Sequence, residues 1–485
     1  MKYKRNSSRW QFMSLRSKLL LLAVLSFAIS DLVVVTQMLA YTWIAAIIPK
    51  SAWVILARIG YVSVACCIAL LIATALTPML PKSMHITWLV KRALFDPTRG
   101  NPLRLKDGQY LPTVRCKKCG SEQETFVLKI STEGFIPEQI KNLAPVISPV
   151  LIGSVKNYAV TKVRESISRN YVQFIIEDVT IDHRLIFSSV EEMLSWPITK
   201  LIVDKRTTID LTTSGSIICA GKTRSGKTTG IISQLLQIVP HGPDKYGSQV
   251  LIVDPKRAEL SRLPHTVTVD EDGGGREILA TVKTFADSIA RRQNVLNMLS
   301  EVDGNAVHWW EAAMRPSFLF LDEFVSLRTL FPKRADKEDP EYCLATFDAL
   351  LKRIVTMGAS AGCYVIISIA EASVEEGGLP AMLRSAMSTR ILFRPTMPEA
   401  RLLWSADKLE NLPDRTYQPG DAWFSSTDGE HDEVSFVRFP QMNFPIYKEL
   451  GRYLKEYYSE TEPGPNGEAE RKPSARPAAE GGGAT

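Results

Sequence analysis

The chain has 485 residues, 45% of them hydrophobic, with 58 Lys plus Arg against 52 Asp plus Glu, a formal net charge of +6 at pH 7. That length is too much for one core, so two or more units are expected. Seven cysteines, scattered along the chain, exclude a disulfide framework and point to a reduced compartment.

The basic excess is uneven. Residues 1–18 carry Lys2, Lys4, Arg5, Arg9, Arg16 and Lys18 with no acid, which equals the whole net charge. From Leu19 to Ile48 and from Ala52 to Leu80 the chain is almost wholly apolar. Each run can cross a hydrocarbon core, which needs about 20 helical residues. The first run is too long for a signal peptide, lacks a small-residue cleavage site and is followed at once by a second span. The expectation is a membrane hairpin over residues 19–80, turning at Pro49-Lys50-Ser51.

Basic residues before the first span, and Lys82, Lys91, Arg92, Arg99, Arg104 and Lys106 after the second, outnumber Lys50 in the turn. By the positive-inside rule both termini are expected in the cytoplasm, with the protein in the cell membrane. Asp31 and Arg58 interrupt the spans. A charge at the bilayer centre costs about 2.5 to 3.5 kcal/mol on insertion scales. Counted from the turn the two lie at different depths, so Arg58 is expected to snorkel outward. Asp31 either marks a helix or partner contact or is tolerated as a protonated acid.

Residues 81–205 read as a small cytosolic α/β unit, a base between membrane and motor. Phe126 to Ile130 and Tyr171 to Glu177 read as strands, and Phe187 to Trp196 as a helix capped by Ser189 with Glu192 three residues on. Cys116 and Cys119 have metal-ligand spacing, but a zinc site needs four ligands and no second pair or nearby His pair follows.

From about residue 206 to 458 strands and helices alternate, the pattern of a parallel sheet wrapped by helices. Here an apolar run, Ile217 to Ala220, ends in Gly221-Lys222-Thr223-Arg224-Ser225-Gly226-Lys227-Thr228, with Thr229 next. This octet is a phosphate-binding P-loop. Gly221 and Gly226 let backbone N–H groups turn inward on the β-phosphate, and the following helix adds its positive dipole end. Lys227 is placed to reach the β- and γ-phosphates of ATP, and the Thr228 hydroxyl to hold Mg²⁺.

Two later strands end in acids. Val250 to Val253 ends in Asp254-Pro255-Lys256, and Phe318 to Leu321 ends in Asp322-Glu323. Only the second can divide metal binding from base catalysis: Asp322 for Mg²⁺, Glu323 to orient and deprotonate the attacking water. Asp254 is then a supporting residue that orients Lys256 or the nucleotide pocket.

The strings AGKTRSGKTTG, IVDPKRAEL, Ile289-Ala290-Arg291-Arg292, FLDEFVSL, SAGCYVIIS, STRILFRP and Gln418-Pro419-Gly420-Asp421-Ala422 occur in this order. In order and spacing they resemble the FtsK/SpoIIIE family of DNA translocases, over roughly Tyr171 to Pro440. The resemblance implies a RecA-like α/β motor behind a transmembrane hairpin. It also implies a homo-hexamer that uses ATP to move DNA without sequence preference, through phosphate contacts. Lys256, Arg257, Arg291 and Arg292 are basic positions in those strings; DNA contact and a solvated surface stand as equal readings. The chain departs from the family at Ala359, where an Arg is usual, and at Ile369 to Ser373, which lacks the γ-phosphate-sensing Gln. Ser368 or Glu371 is then the substitute, or hydrolysis is slow and partner-stimulated. Arg384 and Arg390 are the candidates for an arginine crossing to a neighbour's nucleotide, with structural roles as the alternative.

After Pro440 only a short helix, Tyr447 to Tyr458, and a Pro/Gly/Glu/Ala-rich tail at 459–485 remain, the tail expected to be disordered. Two spans, one motor and no DNA reader resemble the FtsK-like coupling proteins of Gram-positive conjugative plasmids and integrative elements. These hand relaxase-bound DNA to the transfer channel. Single- and double-stranded DNA both remain open as cargo. Type VII secretion ATPases, which carry several ATPase units, and a non-hydrolysing membrane scaffold are the alternatives.

Overall fold

The computed structural model describes residues 3, 13–43, 50–97, 101–119, 125–152, 155, 157–166, 168, 170–370, 380–409 and 416–459. Lys2, Lys4, Arg5, Arg9, Pro49, Arg99, Glu371 and the tail after Ser459 lie outside them. The chain forms two compact units, one up to Ile181 and one from Asp182 onward.

The first unit begins with helices α1 (Leu15–Trp43) and α2 (Lys50–Leu76). Both are long and apolar enough to cross a membrane, over Leu15–Leu39 and Trp53–Met79. They pair antiparallel through small residues. Ser26 Oγ donates to the Ser63 carbonyl (2.8 Å), and Ser63 Oγ donates to the Ser26 carbonyl (2.5 Å). A Cβ on Gly60 would stand only 3.4 Å from Val33, so glycine here permits close approach.

This register corrects the expected depths of Asp31 and Arg58. Asp31 stands five residues after Ser26, and Arg58 five before Ser63, so the two charges are level. The expectation erred because Lys50 and Ser51 lie in α2, not in a turn.

Helix α3 (Lys82–Phe95) follows, and then a four-stranded antiparallel sheet of order β1-β2-β4-β3. Its strands are β1 (Val114–Cys119), β2 (Thr125–Ser131), β3 (Tyr158–Glu165) and β4 (Tyr171–Asp178), with α4 (Pro137–Lys141) and α5 (Ala144–Leu151) between β2 and β3. Strands β2 and β4 are the two foreseen. Their alternation sends Phe126, Leu128, Ile130, Val172, Phe174 and Ile176 to one face, where they bury against Ile86, Val90 and Leu94 of α3 and Ile147 and Leu151 of α5. Each such side chain contributes about 1.5 to 3 kcal/mol on full burial.

Cys116 and Cys119 both lie on β1. Three residues apart on a strand, they point to opposite faces and cannot share an ion. Among the described residues no cluster of three or more metal-ligating side chains occurs. Burial pushes the Cys116 thiol up to about 12.

The second unit opens with β5 (Ile186–Phe187), which pairs with β16 (Gln441–Met442), and the hairpin β6 (Lys200–Ile202) and β7 (Thr208–Asp210). These pack into the core of this second unit, so its chain begins upstream of residue 206. Between them, Glu191–Ser195 forms a 3-10 turn rather than the expected α-helix. Ser189 does not cap it, and Pro197 follows at once, leaving no room for a longer helix. Glu192 instead accepts the Ser188 N–H at 2.8 Å.

The main sheet has eight strands in the order β10-β9-β11-β12-β8-β13-β14-β15. They are β8 (Ile217–Ala220), β9 (Val250–Val253), β10 (Thr266–Val267), β11 (Ser317–Leu321), β12 (Cys363–Ile369), β13 (Thr389–Phe393), β14 (Asp421–Ser426) and β15 (Ser435–Arg438). From β10 to β13 all neighbours run parallel; β14 and β15 add an antiparallel edge. Strands β8, β11 and β12 are wholly buried, which explains their largely apolar runs. Helices α6 (Lys227–Leu235), α7 (Arg276–Asp303), α8 (Phe324–Arg328), α9 (Leu344–Met357), α10 (Ala381–Ala386), α11 (Met397–Leu403), α12 (Ala406–Leu409) and α13 (Ile446–Ser459) complete the unit.

The crossover order matters for the site. Strand β12 is inserted between β8, which carries the P-loop, and β11, which carries the acids. This is the RecA-like arrangement, and it puts the end of β12 between the two halves of the site.

Candidate nucleotide-binding site

The site forms at the carboxyl ends of β8, β9, β11 and β12, where parallel α/β sheets bind ligands. Gly221 N donates to the Ile369 carbonyl at 3.1 Å, tying the start of the P-loop to the end of β12. The loop then exposes Lys222, Thr223 and Arg224, buries Ser225 and enters α6 at Lys227. Gly226 has φ +91°, and a Cβ there would stand 2.5 Å from Gly420 N. Glycine is thus required both by conformation and by space. Thr228 is half-buried in the first turn of α6, while Thr229 is exposed.

The far wall of the loop was not legible in advance. Gly420 N donates to the Ser225 carbonyl at 2.9 Å, so the Gln418 to Ala422 string clasps the P-loop from behind. Asp421 is fully buried there, paired with Arg184 and Arg438 at 3.1 Å each.

Lys227 is only 7% exposed. Burial depresses its pKa, while the Asp322 and Glu323 carboxylates oppose the shift by favouring the ammonium. Asp322 is 8% exposed, and burial pushes its carboxyl up against the opposing pull of Ser368 and Lys227. The Ser368 hydroxyl is fully buried and makes no hydrogen bond of good geometry, yet it lies near enough to Asp322 to favour the charged carboxylate. Lys227, Asp322 and Glu323 therefore share one electrostatic environment.

Glu323 has φ +47°, an unusual backbone for a non-glycine residue. It sits where β11 turns into α8, and its Oε2 lies 3.1 Å from Lys256 Nζ. Asp254 supports this arrangement as expected. Its Oδ1 accepts the Lys256 N–H (3.0 Å), and its Oδ2 accepts those of Ala258 (2.8 Å) and Ser261 (3.1 Å).

Other basic candidates are placed differently. Arg292 is neither solvated nor free for DNA. Helix α7 continues to Asp303, which leaves Arg292 on the inward face, 1% exposed, bonded to Asp244 (3.2 Å) and to the carbonyls of Ala361 and Arg315. Arg291 beside it is exposed. Arg257 donates to the Val269 and Asp270 carbonyls. Arg384 donates to the Leu402 carbonyl, and Arg390 to those of Leu403 and Arg384. Both therefore serve the end of α11 rather than an ion pair. Ala359 lies in the turn between α9 and β12.

Two buried hydroxyls without good partners, Ser225 and Ser368, flank the cleft. Unsatisfied polar atoms of this kind fit a site completed by ligand and ordered water. Fold and sequence motif together define a P-loop α/β protein. Among solved structures the chain is similar to the conjugation coupling protein TcpA of pCW3, in its monomer form with ATPγS. The identity is 16% and the TM-score 0.46, with 71% of this chain and 93% of that one covered. It is also similar to EssC (ATPases 2 and 3) from Geobacillus thermodenitrificans, at 14% identity and a TM-score of 0.38, covering 57% of this chain and 52% of that one. For the cytoplasmic domain of the type VII secretion ATPase EccC from Thermomonospora curvata the identity is 20% and the TM-score 0.36, covering 51% and 29%. The chain thus spans about half of the EssC chain and under a third of the EccC chain. No protein-family model and no curated protein matches it.

Proposed function

We infer that this chain is a membrane-anchored, ATP-driven DNA translocase that acts as a coupling protein in conjugative transfer. The observation that carries the motor reading is the gathering of Lys227, Asp322, Glu323 and Lys256 around one P-loop at the sheet's carboxyl edge. The membrane reading rests on α1 and α2; the placing of both termini in the cytoplasm rests on the positive-inside rule, and the ring of six copies on the sequence resemblance. The coupling role rests on the sequence resemblance, with relaxase and channel proteins as partners.

In this reading Lys227 and the P-loop N–H groups hold the β- and γ-phosphates. Thr228 and Asp322 would hold Mg²⁺, which when bound neutralises the phosphate oxygens. Glu323 takes a proton from the attacking water, and its pair with Lys256 holds it aimed until nucleotide arrives. Ser368, at the end of the strand between the two halves and beside Asp322, takes over part of the missing sensor's task in this reading.

The test is transfer of the host element from donors carrying Lys227→Ala or Glu323→Gln, with each variant's membrane level checked. Stable variants with collapsed transfer, and with chromosome segregation and protein export untouched, support the reading. Normal transfer overturns it, and loss of protein export instead identifies an export motor.

A further inference from the structure

We propose that the hairpin is a head-to-tail interface between copies of this chain, in which Asp31 of one copy meets Arg58 of the next. The proposal rests on the membrane reading above. The reciprocal Ser26 and Ser63 hydrogen bonds fix the register, and counting five residues from each puts Asp31 and Arg58 at one level.

Their faces follow from burial. Ala23, Ser30 and Val33 of α1 and Ser63, Cys67 and Thr74 of α2 are buried and mark the stripes along which the helices touch. Asp31 follows Ser30 by one residue, which turns it roughly 100° off its stripe. Arg58 precedes Ser63 by five, which turns it roughly 140° off its own. Arg58 lines a groove beside Ser26 and Ile29 of α1, and Asp31, two residues and so roughly 200° on from Ile29, lies on the opposite side of the hairpin. Both are exposed, and among the described residues neither makes an ion pair.

Around each charge the outer surface is apolar: Leu32, Val34 and Val35 on α1, Val54, Tyr61 and Val62 on α2. In hydrocarbon an unpaired charge is costly, and the best available relief is an opposite charge at the same depth. A single hairpin cannot supply it, because its acid and its base face opposite ways. A second copy in the same orientation can, placing its base against the first copy's acid. Its own acid then remains open for a third. Such a contact is heterologous and repeats, closing into a ring where the rotation allows. A lipid headgroup or an unrelated membrane protein would satisfy one charge without this repetition.

The test uses the full chain in its own membranes, with Cys66→Ser and Cys119→Ser as background. Val35→Cys and Val54→Cys each stand one helical turn from a charge, on the same outer faces. Under mild oxidation the chain carrying both is expected to give a ladder of dimers, trimers and larger species. Each alone should give none, and the two singly substituted chains co-expressed should stop at a dimer. Adding Asp31→Asn or Arg58→Gln should cut the ladder at least fivefold while the chain stays in the membrane pellet after alkaline carbonate. Combining Asp31→Arg with Arg58→Asp should restore it. Absence of a ladder, equal cross-linking by either cysteine alone, or indifference to Asp31→Asn would each overturn the proposal. Release of the parent chain by carbonate would overturn the membrane reading itself, and the interface with it.

Discussion

Lys256 Nζ lies 3.1 Å from Glu323 Oε2, joining the loop after β9 to the residue that precedes α8. Lys256 is half exposed, so the pair adds little to stability, about 0.2 to 1 kcal/mol. Its effect falls on the carboxylate. Lys256→Ala is expected to shift the unfolding midpoint hardly at all and to lower ATP turnover roughly three- to tenfold, with KM for ATP unchanged. Steady-state kinetics check this; a rise in KM with kcat intact would mean that Lys256 binds nucleotide instead.

Gly226→Ala tests the clasp behind the P-loop. The new Cβ must enter space held by Gly420, on backbone that disfavours it. A loss of roughly 1 to 3 kcal/mol in stability is expected. ATP affinity should fall about tenfold, the worth of one misplaced hydrogen bond to a charged group. Denaturant titration and nucleotide-binding calorimetry read the two effects separately.

Arg292→Ala removes a buried guanidinium and strands Asp244, itself nearly buried. Breaking such a pair costs about 3 to 5 kcal/mol. The expected result is a destabilised chain whose DNA binding, at temperatures where it stays folded, keeps the salt dependence of the parent. A reduced salt slope with unchanged stability would make Arg292 a phosphate contact.

The P-loop was legible because its octet encodes backbone geometry, and the sheet because buried parallel strands such as Phe318 to Leu321 are unbroken apolar runs. The two apolar helices were legible for the same reason, but not their register, which Ser26 and Ser63 set through hydrogen bonds that no hydropathy pattern reports. Long-range partners were equally silent. Nothing local says that Gly420 backs Ser225, that Arg184 and Arg438 pair with Asp421, or that α7 runs past Arg292 and turns it inward. Glu191 to Ser195 misled because a cap-like string was too short to nucleate an α-helix.

Cys116 and Cys119 should behave as two unrelated thiols. Burial holds the Cys116 thiol up at about 12, whereas Cys119 is exposed on the opposite face. At pH 8, iodoacetamide should modify Cys119 well before Cys116, whose labelling should rise about tenfold per pH unit as its thiolate forms. Peptide mapping by mass spectrometry checks the order; joint protection of both by zinc would contradict it.

The central claim is that ATP hydrolysis at Lys227, Asp322 and Glu323 is coupled to DNA. It is tested most directly by the ATP turnover of the full chain in lipid nanodiscs, with and without DNA of either strandedness, beside Glu323→Gln. The account predicts turnover that rises severalfold with DNA and falls about a hundredfold or more in Glu323→Gln, with ATP still bound. Turnover indifferent to DNA and to the loss of Glu323 would contradict it.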